Sequence, residues 1–119
     1  RLVQEESLDN CIFCKIVAGE FGTELLAESE HAIAFKDIAP RQPIHVLVVP
    51  REHHANVSEL SAANPEALAD LVALGCSVAE QLSTGSFRLT FNTGEAAGQT
   101  VFHAHGHITS TTPKGPSAS

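Results

Sequence analysis

Three histidines alternate towards the C-terminal end of the chain, in His103-Ala104-His105-Gly106-His107. An imidazole titrates close to neutral pH, so it can act as nucleophile, general base or general acid. Residues i, i+2 and i+4 of a β-strand share one face, ~7 Å apart along it. The spacing predicts three imidazoles aimed into one pocket, dividing those tasks or ligating metal. Just before them, residues 92–100 (NTGEAAGQT) offer glycines, free backbone N–H groups and the side chains of Asn92, Gln99 and Thr100. Turn N–H groups of this kind can converge on a phosphate oxygen. Near the other end, Cys11-Ile12-Phe13-Cys14 is a C-x-x-C pair. With two histidines it makes a Cys₂His₂ donor set, which suits zinc. Cys76 falls in an apolar helical pattern and is expected to be a buried thiol.

These residues need elements to position them. Asp9 and Asn10 are candidate caps for a short helix through Cys11, Phe13, Cys14, Ile16 and Val17. Residues 24–28, 31–37 and 45–49 are predicted strands, the last being the most apolar and β-branched. Residues 39–43 hold two prolines and must turn. Asn64-Pro65 reads as an N-cap and first-turn proline. After it, Leu68, Leu71, Val72, Gly75, Val78, Ala79 and Leu82 mark one long amphipathic helix over 64–83. Strands are predicted again over 87–92 and 100–109. This order gives an α+β fold, an antiparallel sheet with the long helix on one face. Residues 1–10 read as an arm, 11–110 as one domain and 111–119 as a Pro/Gly/Ser tail.

The chain has 119 residues, 43% hydrophobic and 18% charged, which suits a single globular domain. Its formal charge of −7 disfavours a general nucleic-acid binder. Any phosphate must therefore be held by local groups. No apolar run approaches ~18 residues, so no membrane span is expected, and no leader is evident. Three cysteines make no disulfide framework, which points to a reducing, cytoplasmic setting.

Several segments together carry a family resemblance. His103-Ala-His105-Gly-His107-Ile-Thr resembles the histidine triad signature, His-φ-His-φ-His-φ-φ with φ apolar, although Gly106 and Thr109 depart from it. Residues 11–16, 34–40 (AFKDIAP), 45–53 (HVLVVPREH) and 92–101 also resemble segments of that family, in order. The pattern is most similar to its Hint-type branch of nucleotide-binding proteins. Gly106 removes a strand side chain, which brings the packing behind the triad into question.

The resemblance implies a five-stranded antiparallel sheet with one long and one short helix, and a homodimer. It implies hydrolysis or transfer at the α-phosphate of a purine nucleotide such as an AMP conjugate. His105 would be the nucleophile, passing through a nucleotidyl-histidine, with His107 and His45 flanking it. Gly98, Gln99 and Thr100 would hold the phosphate and Asp37 the ribose, with Asn92 nearby. The base would rest on Ile12, Phe13, Phe35 and Ile38. The implied zinc ligands are Cys11, Cys14, His53 and His103, with His54 facing solvent and His31 on the surface. A dinucleoside polyphosphate hydrolase, a non-catalytic nucleotide-binding regulator and a zinc-binding structural module are the alternatives. With only seven basic residues in the chain, a phosphoramidate is expected to suit the site better than a polyphosphate. A cationic amine leaving group would be drawn to the acidic surface.

Overall fold

The strands are β1 (Ala27–Glu28), β2 (Ala32–Lys36), β3 (Ile44–Pro50), β4 (Arg88–Phe91) and β5 (Gly106–Ser110). In the computed structural model, which describes residues 11–114, they form one sheet in the order β1-β2-β3-β5-β4, with every pairing antiparallel. Among the described residues three α-helices accompany it: α1 (Ile12–Val17), α2 (Val57–Ala63) and α3 (Pro65–Leu82). The α+β architecture and the five antiparallel strands are as expected. The expectation of one long and one short helix is corrected by α2, a second short helix. Asn56 caps α2 by accepting from Glu59 N–H, and Asn64 both ends α2 and caps α3.

Side-chain parity assigns each face of the sheet. Ala32, Ala34, Ile44, Val46, Val48 and Ile108 pack with Leu71, Val78 and Ala79 of α3. The alternate residues Ile33, Phe35, Leu47 and Val49 pack with Cys11 and Phe13 at α1. Both faces are thus covered, one by each helix, which is why β2 and β3 read as nearly continuous apolar runs. His45 and His107 belong to the second parity, so the histidines that reach the sheet emerge on the α1 side. Cys76, expected to be buried, is only half-buried on α3.

Gly106 has a packing reason. It lies on the α3 side, where a Cβ would come within 2.9 Å of Leu89 Cδ1 and 3.1 Å of Phe91 Cε1. Those two side chains fill the space that an apolar residue at this position would take. The concern that the glycine leaves the triad poorly backed is therefore not met by the structure.

Two boundaries differ from expectation. The final strand begins at Gly106, not at residue 100. The observed cap of α1 is Cys11, whose Sγ accepts from Cys14 N–H at 3.3 Å; Asp9 and Asn10, with the rest of the arm 1–10, lie outside the described residues. Residues 115–119 of the expected tail also lie outside them. The start of that tail is tied down: Lys114 N–H donates to Leu82 O at 2.8 Å, and Pro113 bridges to Ser83.

Candidate active site

The late start of β5 splits the histidines. Ala104 N–H donates to His54 O at 2.7 Å instead of to a neighbouring strand, so residues 103–105 run off the sheet. His107 stands on β5, and His105 sits just before it. His103 is fully buried and turned away, towards α1. The three rings therefore serve two sites, and the expectation of one shared pocket is corrected.

Fixed backbone partners settle which ring nitrogens carry protons. His105 Nδ1 lies 2.7 Å from His103 O, a carbonyl that can only accept, so Nδ1 donates and Nε2 keeps its lone pair. Arg41 N–H donates to His45 Nδ1 at 3.1 Å, which puts the proton of neutral His45 on Nε2. That N–H points at His107 Nδ1, 3.1 Å away, and also lies 3.3 Å from Asp37 Oδ2. His107 then carries its proton on Nε2. The result is one ring with a free basic nitrogen beside one with a free N–H. Their centroids are 4.9 Å apart, and Phe13 meets His105 edge-on at 4.9 Å. Burial lowers the pKa of both His105 and His107, so both are neutral near pH 7; for His107, its histidine neighbours and Arg41 push the same way.

These rings face a cleft of about 600 Å³ lined also by Asp37, His45, Asn92, Gly98 and Thr100. Other site assignments change. Gln99 does not line the cleft: it is buried, its amide N–H groups donate to Ala55 O at 2.6 Å and Val101 O at 2.9 Å, and its carbonyl accepts from Gly94 N–H at 2.8 Å. It fixes the loop and has no polar atom left for phosphate. Phe13 and Phe35 are buried and pack edge-to-face at 6.0 Å, so neither offers an open face to a base, whereas Ile38 is 97% exposed and Ile12 half-exposed. Asp37 also caps its own turn, accepting from Ala39 N–H at 2.9 Å.

Sequence reasoning missed Arg41, Arg88, Thr90 and Thr109, all of which line the cleft. Alternation on β4 was the available signal, because Arg88, Thr90 and Asn92 share a parity. Two of the seven basic residues thus line the cleft beside the histidines, so the small number of basic residues in the chain does not leave the site without cationic groups.

The second site joins Cys11, Cys14, His53 and His103, whose ligand atoms all lie within 4.8 Å of one another. Cys14 Sγ is 3.2 Å from His53 Nδ1 and 3.4 Å from His103 Nδ1, and the two Nδ1 atoms are 3.1 Å apart. Donors around a tetrahedral zinc ion stand ~3.3–3.8 Å apart, given its bond lengths, so the set is close to that spacing. His103 Nε2 donates to Pro50 O at 2.9 Å, which directs its Nδ1 lone pair at the thiols. Burial takes His103 down to about 4 and, with Cys11 adjacent, pushes Cys14 up to about 12. A divalent cation matches this neutral, two-thiol, two-imidazole donor set. His54 is instead paired with Glu52 at 3.0 Å, and His31 lies 3.8 Å from Glu30.

Known proteins are similar to this chain in sequence and fold. A family model described as "Scavenger mRNA decapping enzyme C-term binding" matches residues 10–119. A purine nucleoside phosphoramidase of Escherichia coli K12 is 32% identical over 110 residues, 91% of this chain and 92% of that protein. An adenosine 5′-monophosphoramidase of Schizosaccharomyces pombe is 41% identical over 99 residues, 83% of this chain and 72% of that one. The solved structure of a HIT family hydrolase from Clostridium thermocellum superposes with a TM-score of 0.82 at 44% identity, covering 92% of this chain and 96% of that one. With a family model spanning its sheet and both histidine sites, and relatives matched along most of both lengths, the chain belongs to the histidine triad (HIT) family of hydrolases.

Proposed function

We propose that this protein is a purine nucleoside phosphoramidase that transfers AMP through His105. The observation that carries the reading is the proton placement at the paired rings: a lone pair on His105 Nε2 beside an N–H on His107 Nε2. His105 Nε2 attacks the α-phosphorus in line and forms an N–P bond as the P–N bond to the amine breaks. His107 Nε2–H donates a hydrogen bond to the phosphoryl group without giving up its proton, and the departing nitrogen takes a proton from solvent and leaves as the amine. Water then attacks phosphorus, the N–P bond to His105 breaks, neutral His105 with its proton on Nδ1 is restored, and the proton from water passes to solvent. Two easier displacements replace one hard one. His45, itself contacted by Asp37, holds the His107 ring, and Gly98, Thr100 and Asn92 border the phosphate. Asp37 and Ile38 stand where ribose and base would lie. The names of the two phosphoramidase relatives support this choice over a dinucleoside polyphosphate hydrolase.

Rapid quench with an AMP phosphoramidate should give intact protein heavier by one AMP moiety. His105→Ala should abolish that species and turnover while leaving AMP binding within about tenfold. Normal turnover by His105→Ala would refute the assignment.

We further propose that Cys11, Cys14, His53 and His103 hold a structural zinc ion. When bound, zinc supplies a cross-link between α1 and the segment leading to His105. Protein purified without chelator should carry one zinc per chain, and Cys11→Ser should lower metal content and melting temperature more than the chemical rate. Metal-free protein of full stability would reject this. A homodimer in the cytoplasm completes the reading. Among the described residues no helix is long and apolar enough to cross a membrane.

A further inference from the structure

The chemistry above leaves two cleft side chains unused, Arg41 and Arg88. Both are exposed, and among the described residues neither pairs with a carboxylate; the one arginine ion pair is Arg51 with Glu28. Asp37, the one carboxylate lining the cleft, is engaged by Ala39 N–H and His45. The cleft wall therefore carries two guanidinium groups against one carboxylate, within a chain of formal charge −7.

Strand register places Arg88. One rung of the sheet runs His45, Thr109, Arg88, and the next sets His107 opposite Thr90. With strands ~4.8 Å apart, the Arg88 backbone is about 10 Å from that of His45, across β5 and away from Asp37. Along β4 it is four residues from Asn92, ~13 Å, and so remote from the phosphate-loop end. A nucleotide with its ribose at Asp37 and phosphorus at His105 and His107 would leave the β4 side of the cleft, where Arg88 stands, to the leaving group. Arg41, in the turn that follows Asp37, borders the same space. Its charge reaches the triad, since it is among the influences that lower the His107 pKa.

We propose that Arg88 and Arg41 form an anion subsite for the leaving group, so that preferred substrates release a group that itself carries a carboxylate or phosphate. The proposal rests on the AMP-transfer reading above and reverses the preference expected from net charge. Surface charges further than ~8–10 Å away are largely screened. A guanidinium in direct contact is not, and its planar fork fits either anion.

Three AMP phosphoramidates of matched length separate the cases: those of β-alanine, β-alaninamide and 1,3-diaminopropane. For the wild-type protein, kcat/KM for the β-alanine conjugate should exceed that for the amide at least about fivefold, with the diamine conjugate lowest. The anionic-to-neutral ratio should fall towards one in the Arg41→Gln/Arg88→Gln double variant, with melting temperature confirming that it folds. For the phosphate source, titration calorimetry should show ADP binding more tightly than AMP, and the double variant should lose that advantage. A response to the carboxylate alone, or to ADP alone, identifies which anion the subsite takes. A wild-type protein that prefers neither, or ratios unchanged in the double variant, overturns the proposal. An equal fall for all substrates also overturns it, because the guanidinium groups would then act on the α-phosphate. If even unsubstituted AMP phosphoramidate is not hydrolysed, the phosphoramidase reading fails, and the ADP-to-AMP affinity ratio still decides the subsite.

Discussion

Replacing Gln99 by alanine separates a loop-fixing residue from a phosphate ligand. The side chain makes three hydrogen bonds: to Ala55 O at 2.6 Å, to Val101 O at 2.9 Å and from Gly94 N–H at 2.8 Å. It is 2% exposed, so its three partners are left without compensation unless the loop opens to water. At about 1 kcal/mol net for each bond, the loss is roughly 3 kcal/mol. The unfolding entropy of a chain of 119 residues is on the order of 0.25 kcal/mol/K, so the melting temperature should fall by about 12 °C. The loss is smaller if only the loop opens, and hydrogen exchange at Gly94 N–H then reports it. Gln99→Glu is the sharper variant. It keeps an oxygen for Gly94 N–H but turns a second oxygen towards two carbonyls, so it should be at least as destabilising as alanine. Calorimetry on both variants, with kcat and KM for an AMP phosphoramidate, is the assay. An unchanged melting temperature with a raised KM would falsify the loop-fixing role and return Gln99 to the phosphate.

Two further outcomes follow from burial. Gly106→Val should destabilise by about 1–3 kcal/mol, because its Cβ meets Leu89 and Phe91 before the branched methyls are placed; adding Leu89→Ala should recover part of the loss, and a single variant as stable as wild type would show that the pocket yields freely. For metal-free protein, the sign of the pH dependence is set by His103, held at about 4 when folded against an ordinary 6.5. Between those values the unfolded chain binds the extra proton, so stability is full above pH 6.5 and falls as the pH drops towards 4, by roughly 3 kcal/mol from this group. Denaturant titration of chelator-treated protein across that window is the check, and a flat profile would contradict the burial of a neutral His103.

The sequence made some of this legible and hid the rest for identifiable reasons. Alternation located β2 and β4, a continuous apolar, β-branched run located β3, and Asn64-Pro65 located the start of α3. The helix α2 was missed because Val57 and Leu60 are too few to show a period, although Asn56 and Glu59 carried a capping signal. Gln99 and Thr100 are adjacent polar residues with equal claims on a phosphate. Only burial separates them, and burial depends on where Ala55 lies, 44 positions earlier. Phe35 was misplaced for a similar reason: the sheet is covered on both faces, so its parity leads into a second core and not to an open surface.

The triad shows the limit most clearly. An alternating run is compatible with a strand throughout, and nothing in it marks where the chain leaves the sheet. That point is set by a distant acceptor, His54 O, which takes Ala104 N–H. The departure gives three chemically identical side chains three different duties. His103 surrenders Nε2 to Pro50 O and offers Nδ1 to the thiols. His105 surrenders Nδ1 to His103 O and keeps a lone pair on Nε2. His107 receives its partner's N–H at Nδ1 and is left a donor at Nε2. Each assignment follows from a group that can only accept or only donate. Moving Pro50 O, His103 O or Arg41 N–H would therefore change a ring's tautomer without altering any histidine. Backbone placement at β3 and at the β5 entry thus sets the proton positions of all three rings, and at that entry Leu89 and Phe91 leave no room for a Cβ at Gly106.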